Sequence, residues 1–343
     1  MIVAMPRRFA WAQWPERRLL ETRLCDLGVR LRGTWVEGAT VQLLRELEAR
    51  DLRARPHFWV STEWFSPEGV PGIAIPFFLL HPRLLRLERK MMLEVEGADR
   101  SECLKILRHE SGHVLHHAFQ LQRRKRWQRC FGASSAPYPD FYRPNPASRR
   151  YVMHLDYWYA QSHPDEDFAE SFAVWLNPRS AWRRRYADWP ALRKLEYVDE
   201  LMADLAGRAP LVRSRAKLDP IEKQTLTLGE YYEQKRERYS SARSQVYDED
   251  LQRFFHDAEE APRGESAAAF LRRNRSRLVR MVARGTGSRE FSLDAVLRDM
   301  IARCRELDLR VAGSRRELLI DFAILLTARS VRYLYRGREW QAL

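Results

Sequence analysis

His109 and His113 stand four residues apart in a stretch where Leu104, Leu107, Val114, Leu115 and Ala118 recur at helical intervals. On a helix, residues four apart lie one turn above each other on one face, so both imidazoles can reach a single ion. Glu110 follows the first histidine, and its carboxylate leans toward a water in an open coordination position. Two ligands on a rigid element, a base beside the water and a third ligand from elsewhere are what metal-assisted hydrolysis on zinc requires. Gly112 costs helix stability inside this motif, and its missing side chain suits close approach by another backbone.

The third ligand is expected from residues 162–176. That stretch reads as a helix with Ser162 or His163 at the cap, proline in the first turn and acids against the positive dipole end. Phe168, Phe172 and Trp175 form its buried side, while Glu166 and Glu170, four apart, share another face. Two carboxylates on one semi-buried face repel unless something separates them. One ligating the ion and the other accepting a ring N–H from a ligand histidine resolves this, because metal ligands are usually oriented by such partners. Glu166 is therefore assigned as the third ligand and Glu170 as its neighbour's support. His116, His117, His154 and His163 are read as structural or surface residues, since three ligands already suffice.

The strand signals sit upstream of the metal helix, at residues 57–61 and 72–79. Pro76 makes the second run an edge strand. An extended peptide could pair with Ile73, Ala74 and Ile75 there, which makes them candidate substrate-binding residues; equally, the strand could simply end the sheet. Ten of the eleven tryptophans precede residue 190 and eight of the nine histidines precede residue 164, so the chemistry belongs to the first two thirds. A polar stretch at residues 213–223 suggests a boundary. It divides residues 1–215, whose first 20 or so read as an extension, from a helical accessory domain at 222–343. Helices are expected there at 228–239, 248–257, 267–283, 292–307 and 315–335.

The net charge of +14 raises the question of nucleic acid, but the densest basic run, residues 123–129, comes with no base-reading motif and suits a solvated helix end. Cys25, Cys103, Cys130 and Cys304 are scattered without paired spacings, as in a reducing cytoplasm rather than a disulfide framework or thiolate zinc site. No apolar run approaches a membrane span and no secretion signal is visible.

The pairing of His-Glu-Ser-Gly-His with Glu-Asp-Phe-Ala-Glu resembles the gluzincin clan of zinc metallopeptidases, most of all its lethal-factor-type and Pro-Pro endopeptidase branch. That resemblance implies His109, His113 and Glu166 as ligands of one Zn2+ ion, Glu110 as base and Glu170 as supporting carboxylate. It also implies a catalytic tyrosine seven residues before the ligand glutamate, which falls on Tyr159; Tyr157 is the fallback. Residues 24–205 are similar to bacterial proteins described as zinc-binding metallopeptidases. The resulting expectation is an α+β, mostly helical chain: a zincin-like catalytic domain with a small mixed sheet and edge strand, then an all-α C-terminal region. Its function would be peptide-bond hydrolysis through a metal-activated water, in the cytoplasm, on a peptide or protein substrate. The alternative is a catalytically silent zinc-containing interaction or regulatory protein whose basic surface binds an acidic partner or nucleic acid.

Overall fold

A computed structural model describes residues 9–139, 142, 145, 147–239, 247–257, 261 and 264–335. The outermost parts of both expected domains, 1–8 and 336–343, lie outside the described residues. Described α-helices run, in order, α1 Glu16–Leu20, α2 Trp35–Glu48, α3 Pro82–Met92, α4 Arg100–Phe119, α5 Lys125–Phe131, α6 Pro164–Leu176, α7 Trp182–Arg185 and α8 Leu192–Leu205. They continue with α9 Leu228–Tyr239, α10 Asp248–Gln252, α11 Ala267–Thr286, α12 Glu290–Glu306 and α13 Arg315–Tyr335. Among the described residues no helix is long and apolar enough to cross a membrane.

The chain divides into two compact units, Met1–Met91 with Val95–Tyr232, and Met92–Glu94 with Glu233–Leu343. Residues 216–232 follow the boundary expected from sequence but are held by the first unit. Ala216, Leu218 and Asp219 accept side-chain hydrogen bonds from His57, Trp59 and Ser61 at 2.8, 2.8 and 2.7 Å. Leu24 N–H donates to Leu226 O, and Leu228 N–H to Thr22 O.

Where a small mixed sheet is expected, the sheet among the described residues has two strands, paired in parallel, with an isolated antiparallel bridge from Phe65 to Ala74. Strands β1, His57–Ser61, and β2, Gly72–Pro76, pair in parallel, in register from His57 opposite Gly72 to Ser61 opposite Pro76. The other side of β2 is not an open edge, because Ala74 N–H already donates to Phe65 O at 2.8 Å. Ile73, Ala74 and Ile75 are each 0 % exposed. The apolar run these residues form reflects burial on both faces of the strand.

Helix α4 is the axis of the first unit, with α2, β2 and α6 against it. Asp99 caps it, Oδ1 accepting from the N–H groups of Ser101 and Glu102 at 2.7 and 3.0 Å. Most of its length is buried on every side, which suits a helix enclosed by other elements rather than one lying on a surface. Arg108 is held by both oxygens of Glu46 on α2 at 2.7 Å each. Toward α6 the spacing is set by Gly112: a Cβ there would meet Ala169 Cα at 2.7 Å. The close approach expected of this glycine is present, and its partner is the backbone of α6.

The second unit is all helix apart from isolated bridges among its described residues. Leu271, Leu278, Leu297, Met300, Phe322 and Leu326 lie in a core of its own built from α11, α12 and α13.

Candidate metal centre

Helix α6 begins as its sequence suggests. His163 Nδ1 accepts the Asp165 N–H at 3.2 Å, Pro164 occupies the first turn, and Asp165, Glu166 and Asp167 follow. The helix stops at Asn177, whose extended backbone is what a following proline demands. With α4 and α6 packed at the Gly112–Ala169 contact, His109, His113 and Glu166 converge. His109 Nε2 lies 3.2 Å from His113 Nε2, and Glu166 Oε2 lies 3.0 and 3.1 Å from the two nitrogens. All three side chains are buried.

The donor set fits a divalent cation better than it fits protons. Glu170 Oε2 accepts the N–H groups of Leu155 and His154 at 2.8 and 3.3 Å, and its Oε1 takes His109 Nδ1 at 2.8 Å. A carboxylate can only accept, so Nδ1 carries the proton and the Nε2 of a neutral His109 presents a lone pair. That lone pair faces a carboxylate oxygen. Protonating both histidines instead would set two N–H groups against each other at 3.2 Å. Atoms spaced this way lie about 1.8 Å from the centre of their triangle, close to the roughly 2.0–2.2 Å reach of zinc to nitrogen and oxygen, so one ion can meet all three.

The charges of these side chains show the same tension. Burial disfavours a charge on His109, but the Glu166 and Glu170 carboxylates outweigh it and push the imidazole up to about 10. Burial would raise Glu166, yet His113 and His109 hold it well below the usual carboxylate range. Glu110, one residue along α4, has its pKa pushed up by burial against the pull of His109 and His113. Its carboxylate makes no hydrogen bond to a described residue, so it is free to serve a ligand in the site.

Tyr159 is half-buried on a 3-10 turn, Asp156–Gln161, that leads into α6. Its ring centroid is 5.5 Å from that of His109. Its pKa is raised well above the ordinary value by burial, then by the Glu166 and Glu110 carboxylates, so the phenol keeps its proton. The side chain of Tyr157, the fallback, lies outside the described residues. The remaining histidines of this region stand apart from the triangle. His116 stacks on His117 and meets Trp127 at a tilt, and burial drives its pKa down to about 3. His154 donates from Nε2 to Lys105 O at 2.8 Å, and His163 caps α6.

Sequence reasoning missed Tyr138. Its hydroxyl donates to Glu166 Oε1 at 3.1 Å from a loop between α5 and α6. The surrounding small residues and prolines carry no periodicity, so nothing in the sequence aims this phenol at the site.

A buried pair of histidines and a glutamate on two packed helices, with a second carboxylate alongside, is a class of site that can hold one divalent ion. Residues 89–187, under a third of the chain, match the model of a family described as "Putative zinc-binding metallo-peptidase". The matched span contains all three converging residues as well as Glu110, Tyr138, Tyr159 and Glu170. No curated protein and no solved structure matches the chain.

Proposed function

We propose that the first unit is a zinc-dependent metallopeptidase of the gluzincin type, acting in the cytoplasm on peptide or protein substrates. The observation that carries the reading is the buried triangle of His109, His113 and Glu166, 3.0–3.2 Å on its edges, with the Glu110 carboxylate, which has no hydrogen bond to a described residue, on the helix of the two histidines. These three residues would hold one Zn2+ ion, which when bound supplies Lewis acidity toward a carbonyl and toward water.

The chain's own groups do the rest. Glu110 takes the proton of the attacking water and delivers it to the leaving amine; the burial that raises its pKa suits a base that must also act as an acid. Glu170 keeps the proton of His109 on Nδ1 and so turns Nε2 inward. Tyr159 donates a hydrogen bond to the charge that grows on the carbonyl oxygen, and its raised pKa keeps the donor proton in place.

Zinc content and cleavage of an unlabelled peptide mixture, read by mass spectrometry, test this. Wild type and Glu110→Gln are both expected to carry about one zinc per chain, with the variant slower by roughly 10²–10⁴-fold. Undiminished cleavage by a zinc-replete Glu110→Gln protein would remove Glu110 as the base.

One observation favours a second reading, a zinc-containing interaction protein without turnover. On α11, Arg277, Arg280 and Arg284 are exposed, fall on one face, and have no acidic partner among the described residues. Several other arginines of the second unit are paired, Arg303 with Asp248 and Arg298 with Asp294 for example. Zinc binding without peptide cleavage, together with salt-sensitive retention on nucleic acid that a chelator leaves unchanged, would select this reading.

A further inference from the structure

The Glu166 carboxylate gives its two oxygens to different partners. Oε2 faces both imidazoles at 3.0 and 3.1 Å, while Oε1 accepts the Tyr138 hydroxyl at 3.1 Å. The segment that delivers this phenol is tied to the start of α6 residue by residue. Ser134 Oγ donates to Asp165 Oδ2 at 2.9 Å, and His163 Nε2 donates to Ala136 O at 2.9 Å. The Tyr138 ring then stacks on the His163 imidazole, centroids 3.7 Å apart and planes 15° from parallel. His163 can do all of this at once because its Nδ1 is an acceptor, capping α6, and its proton therefore sits on Nε2. Gly132 opens the segment at φ 119, and a Cβ there would lie 3.1 Å from Pro164 Cγ. The helix that carries the third ligand and the strap that carries the phenol are thus one interlocked piece.

We propose that Tyr138 is a positioning residue: by occupying Oε1 it makes Glu166 a one-oxygen ligand and keeps the rest of the coordination sphere open. This rests on the metal-site reading above. A carboxylate can grip an ion through one oxygen or two, and a catalytic site must keep a position free where a structural site closes it. Hydrogen bonds to a ligand from outside the coordination sphere set its orientation, and the bond at Oε1 both engages that oxygen and fixes the carboxylate torsion. Among the described residues of the strap, the Tyr138 hydroxyl alone holds Oε1 back from the ion.

The test is Tyr138→Phe, which deletes the hydroxyl and keeps the ring stacked on His163. Cobalt(II) is the probe, because its visible bands weaken as a four-coordinate centre gains a ligand. Wild type is expected to bind one cobalt with strong bands, and Tyr138→Phe to bind one with clearly weaker bands. Ser134→Ala, which loosens the strap without touching the phenol, is expected to keep the wild-type spectrum. Superimposable spectra for wild type and Tyr138→Phe overturn the proposal, as does an equal change in Ser134→Ala, which would assign the effect to the strap rather than the hydroxyl. Failure of the wild type to bind cobalt at all would instead overturn the metal site itself, and the proposal with it.

Discussion

Glu170 is fully buried, and both of its oxygens are engaged, one by His109 Nδ1 and the other by the N–H groups of His154 and Leu155. It therefore does two jobs at once, orienting a ligand histidine and anchoring the backbone that leads toward Tyr159. Glu166→Ala should empty the site, because a ligand atom is gone. Glu170→Ala should keep the metal but weaken its hold by about 10–100-fold, the usual cost of losing a supporting carboxylate. Zinc content after dialysis against graded chelator distinguishes the two, and a full Glu166→Ala site beside an empty Glu170→Ala site would reverse the assignment. The division of labour between these glutamates can be read from sequence, since their four-residue spacing puts both on one face and their like charges demand different partners. Tyr138 is different. Its approach is made by a loop, and no local rule links a loop tyrosine to a helix 28 residues later in the chain.

Two helices must meet closely for the triangle to exist, and the meeting point is Gly112 against Ala169. Gly112→Ala puts a Cβ 2.7 Å from the Ala169 Cα, a backbone atom that cannot step aside. Overpacking of this kind typically costs about 1–3 kcal/mol. The variant should melt earlier than wild type without metal and also bind metal more weakly, since α4 and α6 separate along the line that joins His113 to Glu166. Equal melting and equal affinity would show that the two helices do not depend on this contact. Two buried histidines, His116 on α4 and His154 in the segment before α6, set a pH limit. Burial drives the pKa of His116 down to about 3 and that of His154 down to about 4, so both are neutral in the folded chain at pH values where unfolded histidines, near 6.5, take up protons. Stability of the metal-free protein should therefore fall as pH drops below about 6.5 and level off only near the folded values. Melting scans from pH 7.5 to 5 check this, and a flat profile would contradict it. At this scale the sequence is informative for helices, whose caps and periodic apolar residues are local. Helices α9 and α13 start and stop where their patterns do. It is less so for β2, where an apolar run cannot reveal whether the strand's far side meets solvent or Phe65.

At the scale of the whole chain, each unit has its own core, and the triangle lies entirely in the first. Tryptophan and histidine concentrate early in the sequence, in the part that carries the triangle. The exact limit does not show, because residues 213–223 are polar enough to read as a boundary while the backbone carbonyls of Ala216, Leu218 and Asp219 are bound by β1 side chains. Separate cores predict separate responses to the ion. A ligand that binds only the native form stabilises by an amount that grows with its concentration over Kd, about 4 kcal/mol at a thousandfold excess. For a unit of this size that shifts a melting midpoint by roughly 8–16 °C. Calorimetry of the full chain should accordingly show two transitions, with zinc raising one and chelator lowering the same one while the other stays put. The transition that moves should be the one that Gly112→Ala also lowers, since both act on the α4–α6 contact. If zinc and chelator displaced both transitions equally, the two cores would be unfolding as one, and the independence argued from their packing would be lost.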